Sequence, residues 1–162
     1  MKKQASWCHG APGIALGRLG MLRRTTDEGL LADAQAALEH TSEASDLGNH
    51  GLCHGALGNV EPLLIAAEIL PNGSHWRALA HERGTSLVND ISTCGCRCAR
   101  PGYLEVPGLM TGIAGIGFQL LRLADPANTP SLLLLEAPRS GSQLPSARHK
   151  SINDVRHGGI SS

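Results

Sequence analysis

An all-α fold of layered helices is the class this sequence predicts, and three observations predict it. Two long segments carry apolar residues at helical spacing. Three shorter apolar stretches each follow a glycine-marked motif. Nothing reads convincingly as a strand, and the apolar run 131–135 is too brief to decide.

The motif is a repeat. Cys8-His9-Gly10-Ala11-Pro12-Gly13 returns 45 positions later as Cys53-His54-Gly55-Ala56-Leu57-Gly58. A weaker copy, Thr111-Gly112-Ile113-Ala114-Gly115, lacks Cys and His. The copies open apolar stretches over 14–22, 60–70 and 116–123, each read as a buried helix entered from a loop. The paired glycines allow a tight turn and a close approach of backbones. Pro12 suits a first helical turn. Pro62 is compatible only with a helix that begins nearby.

Two amphipathic helices lie between these units. Thr26 is expected to cap the first, from 27 to about 40, with Leu30, Leu31, Ala34, Ala37 and Leu38 on one face. Ser74 is expected to cap the second, which runs to about 91 with Trp76, Leu79, Ala80, Leu87, Val88 and Ile91 on its inner side. Buried and amphipathic helices therefore alternate, the order that concentric helical layers show. Asp125-Pro126 ends the last helix, and 94–102 reads as a long loop. Residues 1–138 form one domain, and the Ser-, Gly- and Arg-rich tail 139–162 is expected to be disordered.

Composition narrows the functions. The 162 residues suffice for one modest domain, with a core drawn from Leu, Ala, Ile and Val because aromatics make up only 2%. A formal net charge of zero gives no reason to expect nucleic acid or an acidic membrane as partner. No apolar run approaches the roughly 18 residues that span a bilayer, and the N-terminus lacks the apolar segment of a signal peptide. A cytoplasmic location is the default expectation. Five cysteines cannot all pair within the chain, and in a reducing compartment Cys beside His points to a metal before a crosslink.

The repeat selects the ligands. If successive inner helices run parallel, equivalent motif positions share one end of the fold, and Cys8 and Cys53 come together. His54 joins Cys53 at one ion only if both sit on the loop before the helix. Two thiolates and one imidazole make a three-ligand zinc site with an open position, the pattern of a catalytic zinc. Helix N-termini nearby favour thiolates. His9 matches His54 in the repeat. As a fourth ligand it would shut the site, so a hydrogen bond to a ligand is the expectation. Cys94, Cys96 and Cys98 form a rival metal cluster, at a spacing tighter than zinc sites use. His50, His75, His81, His149 and His157 have no partner identifiable from sequence and are expected to be solvated.

The three motifs, with their flanks, resemble the lanthionine synthetase C-like domain: Ser6-Trp7-Cys8-His9-Gly10-Ala11-Pro12-Gly13-Ile14, Leu52-Cys53-His54-Gly55-Ala56-Leu57-Gly58-Asn59, and Pro107-Gly108-Leu109-Met110-Thr111-Gly112-Ile113-Ala114-Gly115-Ile116-Gly117. The ending Ser131-Leu132-Leu133-Leu134-Leu135-Glu136 looks like the C-terminus of the class II (LanM-type) synthetases of lanthipeptide and lantibiotic biosynthesis. The resemblance covers residues 6 to about 138. It implies an α/α toroid, a double ring of helices with zinc near its centre, and its zinc ligands carry over to Cys8, Cys53 and His54. The implied chemistry is thioether formation. A precursor-peptide cysteine, activated on zinc, adds to a dehydroalanine or dehydrobutyrine and leaves a (methyl)lanthionine ring. The partner implied is a lanthipeptide precursor peptide.

The chain departs from that family in several ways. It holds about three inner and two outer helices of a ring with seven of each, an incomplete toroid. The family's acid/base His and its Asp partner have no counterpart here, the dehydratase half is absent, and Gln4 stands where a basic residue is common. The expectation is a truncated product or one piece of a split enzyme that works with the missing N-terminal part of the synthetase. The alternatives are a non-enzymatic remnant that binds zinc or peptide, and a redox or metal-storage module built on Cys94, Cys96 and Cys98.

Overall fold

A computed structural model describes residues 5–44 and 47–138. Gln4, His149, His157 and the tail 139–162, on which expectations were placed, lie outside the described residues. Among the described residues, five α-helices account for the architecture: α1 (Ala11–Leu22), α2 (Glu28–Glu43), α3 (Ala56–Ile69), α4 (Gly73–Cys94) and α5 (Ile113–Ala124), with a 3-10 turn at Pro101–Tyr103. Among the described residues there is no strand beyond an isolated bridge between Ser6 and His9. The run 131–135 folds as turn. The all-α expectation holds.

α3 packs against each of the other four helices. Its sequence explains that position. Ten consecutive residues, Leu57 to Ala66, are buried, so no face is left for solvent. Pro62 lies inside α3, six residues past its first residue, which corrects the expectation of a nearby start. The lost backbone bond and ring crowding cost about 3 kcal/mol in an ordinary helix interior. Burial on every side of α3 offsets that.

The other two motif helices are buried on one side only. α1 buries Pro12, Ala15, Leu16 and Leu19, while Ile14 is 53% exposed and Met21 49%. α5 buries Gly115, Ile116, Gln119 and Arg122, while Ile113 and Leu121 are exposed. Each packs on α3 with one stripe and turns apolar side chains outward with another, so full burial is true of α3 alone. Pro12 sits in the first turn of α1 as expected.

The first amphipathic helix begins where a local hydrogen bond places it. Asp27, not Thr26, caps α2, its Oδ1 accepting from Leu30 N at 2.8 Å. α2 buries Ala34, Ala37, Leu38 and Thr41. Ser74 is inside α4 rather than capping it. Asn72 is the cap residue, and its Oδ1 accepts from Trp76 Nε1 at 3.2 Å. α4 buries Trp76, Ala80 and Gly84, with Leu79, Leu87 and Ile91 half-buried. Val88 continues the 76–80–84 spacing, yet it is 47% exposed and does not line the inner side, because no neighbouring element covers it there. The helix runs to Cys94, so the expected 94–102 loop starts at Gly95, whose positive φ ends the helix.

The repeat has a steric cause. A Cβ on Gly13 would lie 2.1 Å from Trp7 O, on Gly58 1.9 Å from Leu52 O, and on Gly115 1.7 Å from Leu109 O. In all three copies the helix receives the same preceding carbonyl, six residues back, and only glycine leaves space for it.

A buried charge network fastens α5 to α3. Arg122 and Glu61 are both fully buried, Arg122 Nε donating to Glu61 Oε1 at 3.2 Å. Gln119 Nε2 donates to Glu61 Oε2 at 2.7 Å. Arg122 Nη1 donates to the carbonyls of Pro126 (2.5 Å) and Thr129 (2.7 Å), and Nη2 to Glu68 at 3.1 Å. Arg23, just past α1, bridges Glu68 and Glu136. Burial pushes the Glu136 carboxyl up, but the Ser131 N–H and the Arg23 guanidinium outweigh it and hold it below its ordinary value.

Three outcomes are expected. Gly58→Ala destabilises the fold by roughly 3 kcal/mol through overlap with backbone, whereas Gly17→Ala, in open space on α1, stabilises by about 0.5–1 kcal/mol; urea unfolding measures both. Arg122→Ala strands Glu61 and lowers stability by about 3–5 kcal/mol in the same assay. The Glu136 contribution is fully present above its ordinary value of about 4.5 and is lost as pH falls through its lower folded value. Arg23→Ala should therefore flatten the acid limb of the stability–pH curve.

Candidate metal centre

The motif turns that precede α1 and α3, and the one that precedes α5, are stitched to one another by backbone. Cys8 N donates to Cys53 O at 3.1 Å, and Cys53 N to Met110 O at 2.9 Å. The positions joined are equivalent: each residue follows the carbonyl received by its motif's second glycine. Leu52 N also reaches Met110 O, at 3.0 Å. The ladder brings the beginnings of the three helices together and sets the side chains at its first two rungs beside each other.

Those side chains form one cluster. Cys8 Sγ, Cys53 Sγ and a ring nitrogen of His54 all lie within 4.8 Å of one another. Cys8 is exposed, and Cys53 and His54 are half-buried. His54 is held through its main chain, since its carbonyl accepts from Asn49 Nδ2 at 3.2 Å. Asn49 Oδ1 accepts from Gly51 N at 3.0 Å, which ties the approach to the second motif into the same turn. Burial pushes the Cys53 thiol up, and the Cys8 sulfur adds to this by hydrogen bond and by like charge. Two sulfurs this close resist joint ionisation unless a cation stands between them.

His9 lies outside that set of three. Its Nδ1 stands 3.0 Å from Cys8 Sγ. The buried Ser6 hydroxyl is 3.3 Å from the same nitrogen and 3.8 Å from Cys8 Sγ.

Cys94, Cys96 and Cys98 do not gather their sulfurs in a metal-binding set among the described residues. Cys94 ends α4 and is exposed. Cys98 is buried with Leu52, Leu57 and Ile116, as a small apolar side chain. Burial pushes the Cys96 thiol up, with Cys98 and Glu105 acting in the same direction.

Sequence reasoning missed His50. It was expected to be solvated, yet it is 1% exposed. Its Nε2 lies 2.8 Å from Asp90 Oδ2, and its Nδ1 accepts from Arg97 N at 2.9 Å. That acceptor role leaves Nε2 as the donor, a neutral imidazole. Arg97 pairs with the same Asp90 carboxylate. The hydrogen bond from His50, with Arg97 beside it, holds the Asp90 carboxyl below its ordinary value against partial desolvation. No local sequence signal pointed to it, since its partners stand 40 and 47 positions away. His75 and His81 are exposed, as expected.

No helix among the described residues is long and apolar enough to cross a membrane.

Comparison with known proteins agrees with the motifs. The family model for lanthionine synthetase C-like protein matches residues 1–134. The lacticin 481/lactococcin biosynthesis protein LcnDR2 of Lactococcus lactis subsp. lactis is 27% identical over 146 residues, which cover 80% of this chain. The match spans 15% of that relative's own length. On the match over residues 1–134, and on the motifs at the head of α1, α3 and α5, this chain belongs to the lanthionine synthetase C-like family.

Proposed function

We propose that this chain is the zinc-binding part of a lanthipeptide cyclase, with a precursor peptide as substrate. The observation that carries the reading is the convergence of Cys8 Sγ, Cys53 Sγ and a His54 nitrogen within 4.8 Å. The donor set fits zinc, with soft sulfurs and one imidazole, and three protein ligands leave a position for substrate. Family membership and the LcnDR2 likeness support the same direction.

When bound, zinc would supply Lewis-acid activation of a peptide cysteine, lowering its thiol pKa. The chain's own residues do the rest of the local work. Cys8 and Cys53 hold the ion as thiolates, placed by the backbone ladder rather than by side-chain packing. His54 completes the set from the same turn as Cys53, held by Asn49. His9 hydrogen-bonds Cys8 Sγ and, with Ser6 behind it, fixes that sulfur's direction. A proton donor for the enolate that follows thiolate addition is required by the chemistry. It is assigned to helices supplied by a complementary segment of the synthetase.

The same reading treats α1, α3 and α5 as three consecutive inner helices of a toroid, and α2 and α4 as two of its outer ones. The exposed stripes of Ile14 and Met21 on α1, and of Ile113 and Leu121 on α5, are then the two cut edges. Those edges also favour a second reading, a remnant that binds zinc or peptide without closing rings.

About one zinc per chain is expected from metal analysis of the reduced protein, lost in Cys8→Ala and in Cys53→Ala. Because both thiols must ionise, uptake should release protons and weaken as pH falls. No zinc in the reduced wild-type protein would reject the site. Given zinc, mass spectrometry of a dehydrated precursor peptide separates the two readings. Loss of free thiol only when the complementary helices are added supports the enzyme part, and no loss under either condition supports the remnant.

A further inference from the structure

The second motif turn carries two of the three converging ligand atoms, and it has a fastening that the other two turns lack. His50 stands three residues before Cys53. The equivalent positions of the other copies, three before Cys8 and three before Met110, hold Ala5 and Pro107. Neither side chain can hydrogen-bond. The glycine seats at 13, 58 and 115 are alike in all three copies. The repeat therefore builds its turn without a histidine at this position, and the frame alone gives no reason for an imidazole to be buried there.

His50 spends both ring nitrogens and its main-chain N–H. Nδ1 accepts from Arg97 N at 2.9 Å, while His50 N donates to Arg97 O at 2.8 Å. Arg97 is thus gripped at both its backbone N–H and its carbonyl. Nε2, which carries the ring proton, donates to Asp90 Oδ2 of α4 at 2.8 Å. The Arg97 guanidinium pairs with the same carboxylate. Cys98, next in the loop, is buried in one cluster with Leu52 of the second turn.

The grip passes to the ligands through a few backbone bonds. Asn49, adjacent to His50, donates from Nδ2 to His54 O at 3.2 Å and accepts at Oδ1 from Gly51 N at 3.0 Å. Cys53 N donates to Met110 O, and Cys53 O accepts from Cys8 N. A displacement of His50 therefore moves Cys53 and His54, and through the rung it moves Cys8.

We infer that His50 is a positioning residue of the metal centre. Its ring, locked between Arg97 N and Asp90, fixes the second turn so that Cys53 and His54 present their ligand atoms to one ion. What the turn holds rests on the zinc reading proposed above, whereas the fixing of the turn is measurable without metal.

Two measurements on the reduced full chain test the inference. Competition with a chromophoric chelator reads zinc affinity, and NMR reads amide hydrogen exchange in the metal-free protein. His50→Ala is expected to weaken zinc binding about tenfold or more, the scale on which residues behind metal ligands act. Exchange at Cys53 N–H and Cys8 N–H should accelerate about tenfold more than at Leu63 and Ile65, buried residues that report α3. His50→Asn, whose Oδ1 can accept from Arg97 N in place of Nδ1, should bring both readings back to within about threefold of wild type. If His50→Ala does not fold, Asp90→Ala, which removes a half-exposed side chain, takes its place. It should weaken zinc binding and accelerate the two turn amides by about threefold, and no change in either would overturn the inference. Equal acceleration in the turn and in α3 would make His50 a core residue only and would overturn it as well. So would unchanged zinc affinity in folded His50→Ala, or His50→Asn as impaired as His50→Ala. A wild-type chain that takes up no zinc rejects the metal reading alone, and the exchange comparison then decides the role of His50 by itself.

Discussion

The structure depends on a run of main-chain hydrogen bonds between equivalent turns, Cys8 to Cys53 and Cys53 to Met110. Backbone bonds of this kind are indifferent to side-chain identity, so the turns can carry different chemistry on one frame. The glycines at 13, 58 and 115 make the frame repeatable, since each lets a helix start under the carbonyl that precedes the rung. A side chain at any of them would push its helix off that carbonyl. The rungs would then part, and with them the sulfurs of Cys8 and Cys53. Side-chain placement at the site is thus inherited from backbone geometry fixed elsewhere in the motif.

A second constraint closes the other side of α3. Glu61 is an ionisable group in the middle of the most buried helix, a position that is costly without partners. Arg122 and Gln119 of α5 supply them, and the remaining Arg122 donors take the carbonyls of Pro126 and Thr129. The network continues through Glu68 and Arg23 to Glu136. α5 contributes few apolar side chains to the core, so the ionic cluster does for it what leucines do for α1. It also orders the segment after α5, which has no regular structure to hold it.

Much of this was legible in the sequence, and the reason differs by element. The motif spacing exposed the repeat because steric necessity at a glycine leaves a mark no other residue can substitute. The apolar stripes of α2 and α4 were readable from their period, although the caps fell on Asp27 and Asn72 rather than on the neighbouring Thr26 and Ser74. At Asp27 the cap is chosen by one local hydrogen bond to Leu30 N, which period does not see. Pro62 misled because propensity describes an isolated helix, and α3 is surrounded. The exposure of Val88, Ile14 and Leu121 was invisible for a different reason: apolar character does not say which neighbour covers it. His50 was missed because its partners, Asp90 and Arg97, are 40 and 47 positions away, and long-range pairing leaves no local pattern.

The third copy of the motif bears on the openness of the proposed metal site. Met110 occupies the rung that Cys8 and Cys53 occupy in the other two copies. A cysteine there would offer a further sulfur to the same neighbourhood, and a closed four-ligand set is the habit of structural zinc. Met110 instead contributes its carbonyl, accepting from both Leu52 N and Cys53 N. Ala99 N donates to Thr111 O, and His50 N to Arg97 O, so the third turn and the 95–100 loop brace the second turn from two sides. The copy without Cys or His thus supports the copy that carries Cys53 and His54. A metal held there would have firm protein on the side of the third turn, while Cys8 faces solvent. That asymmetry suits the proposed role, in which the thiol of another chain reaches the metal.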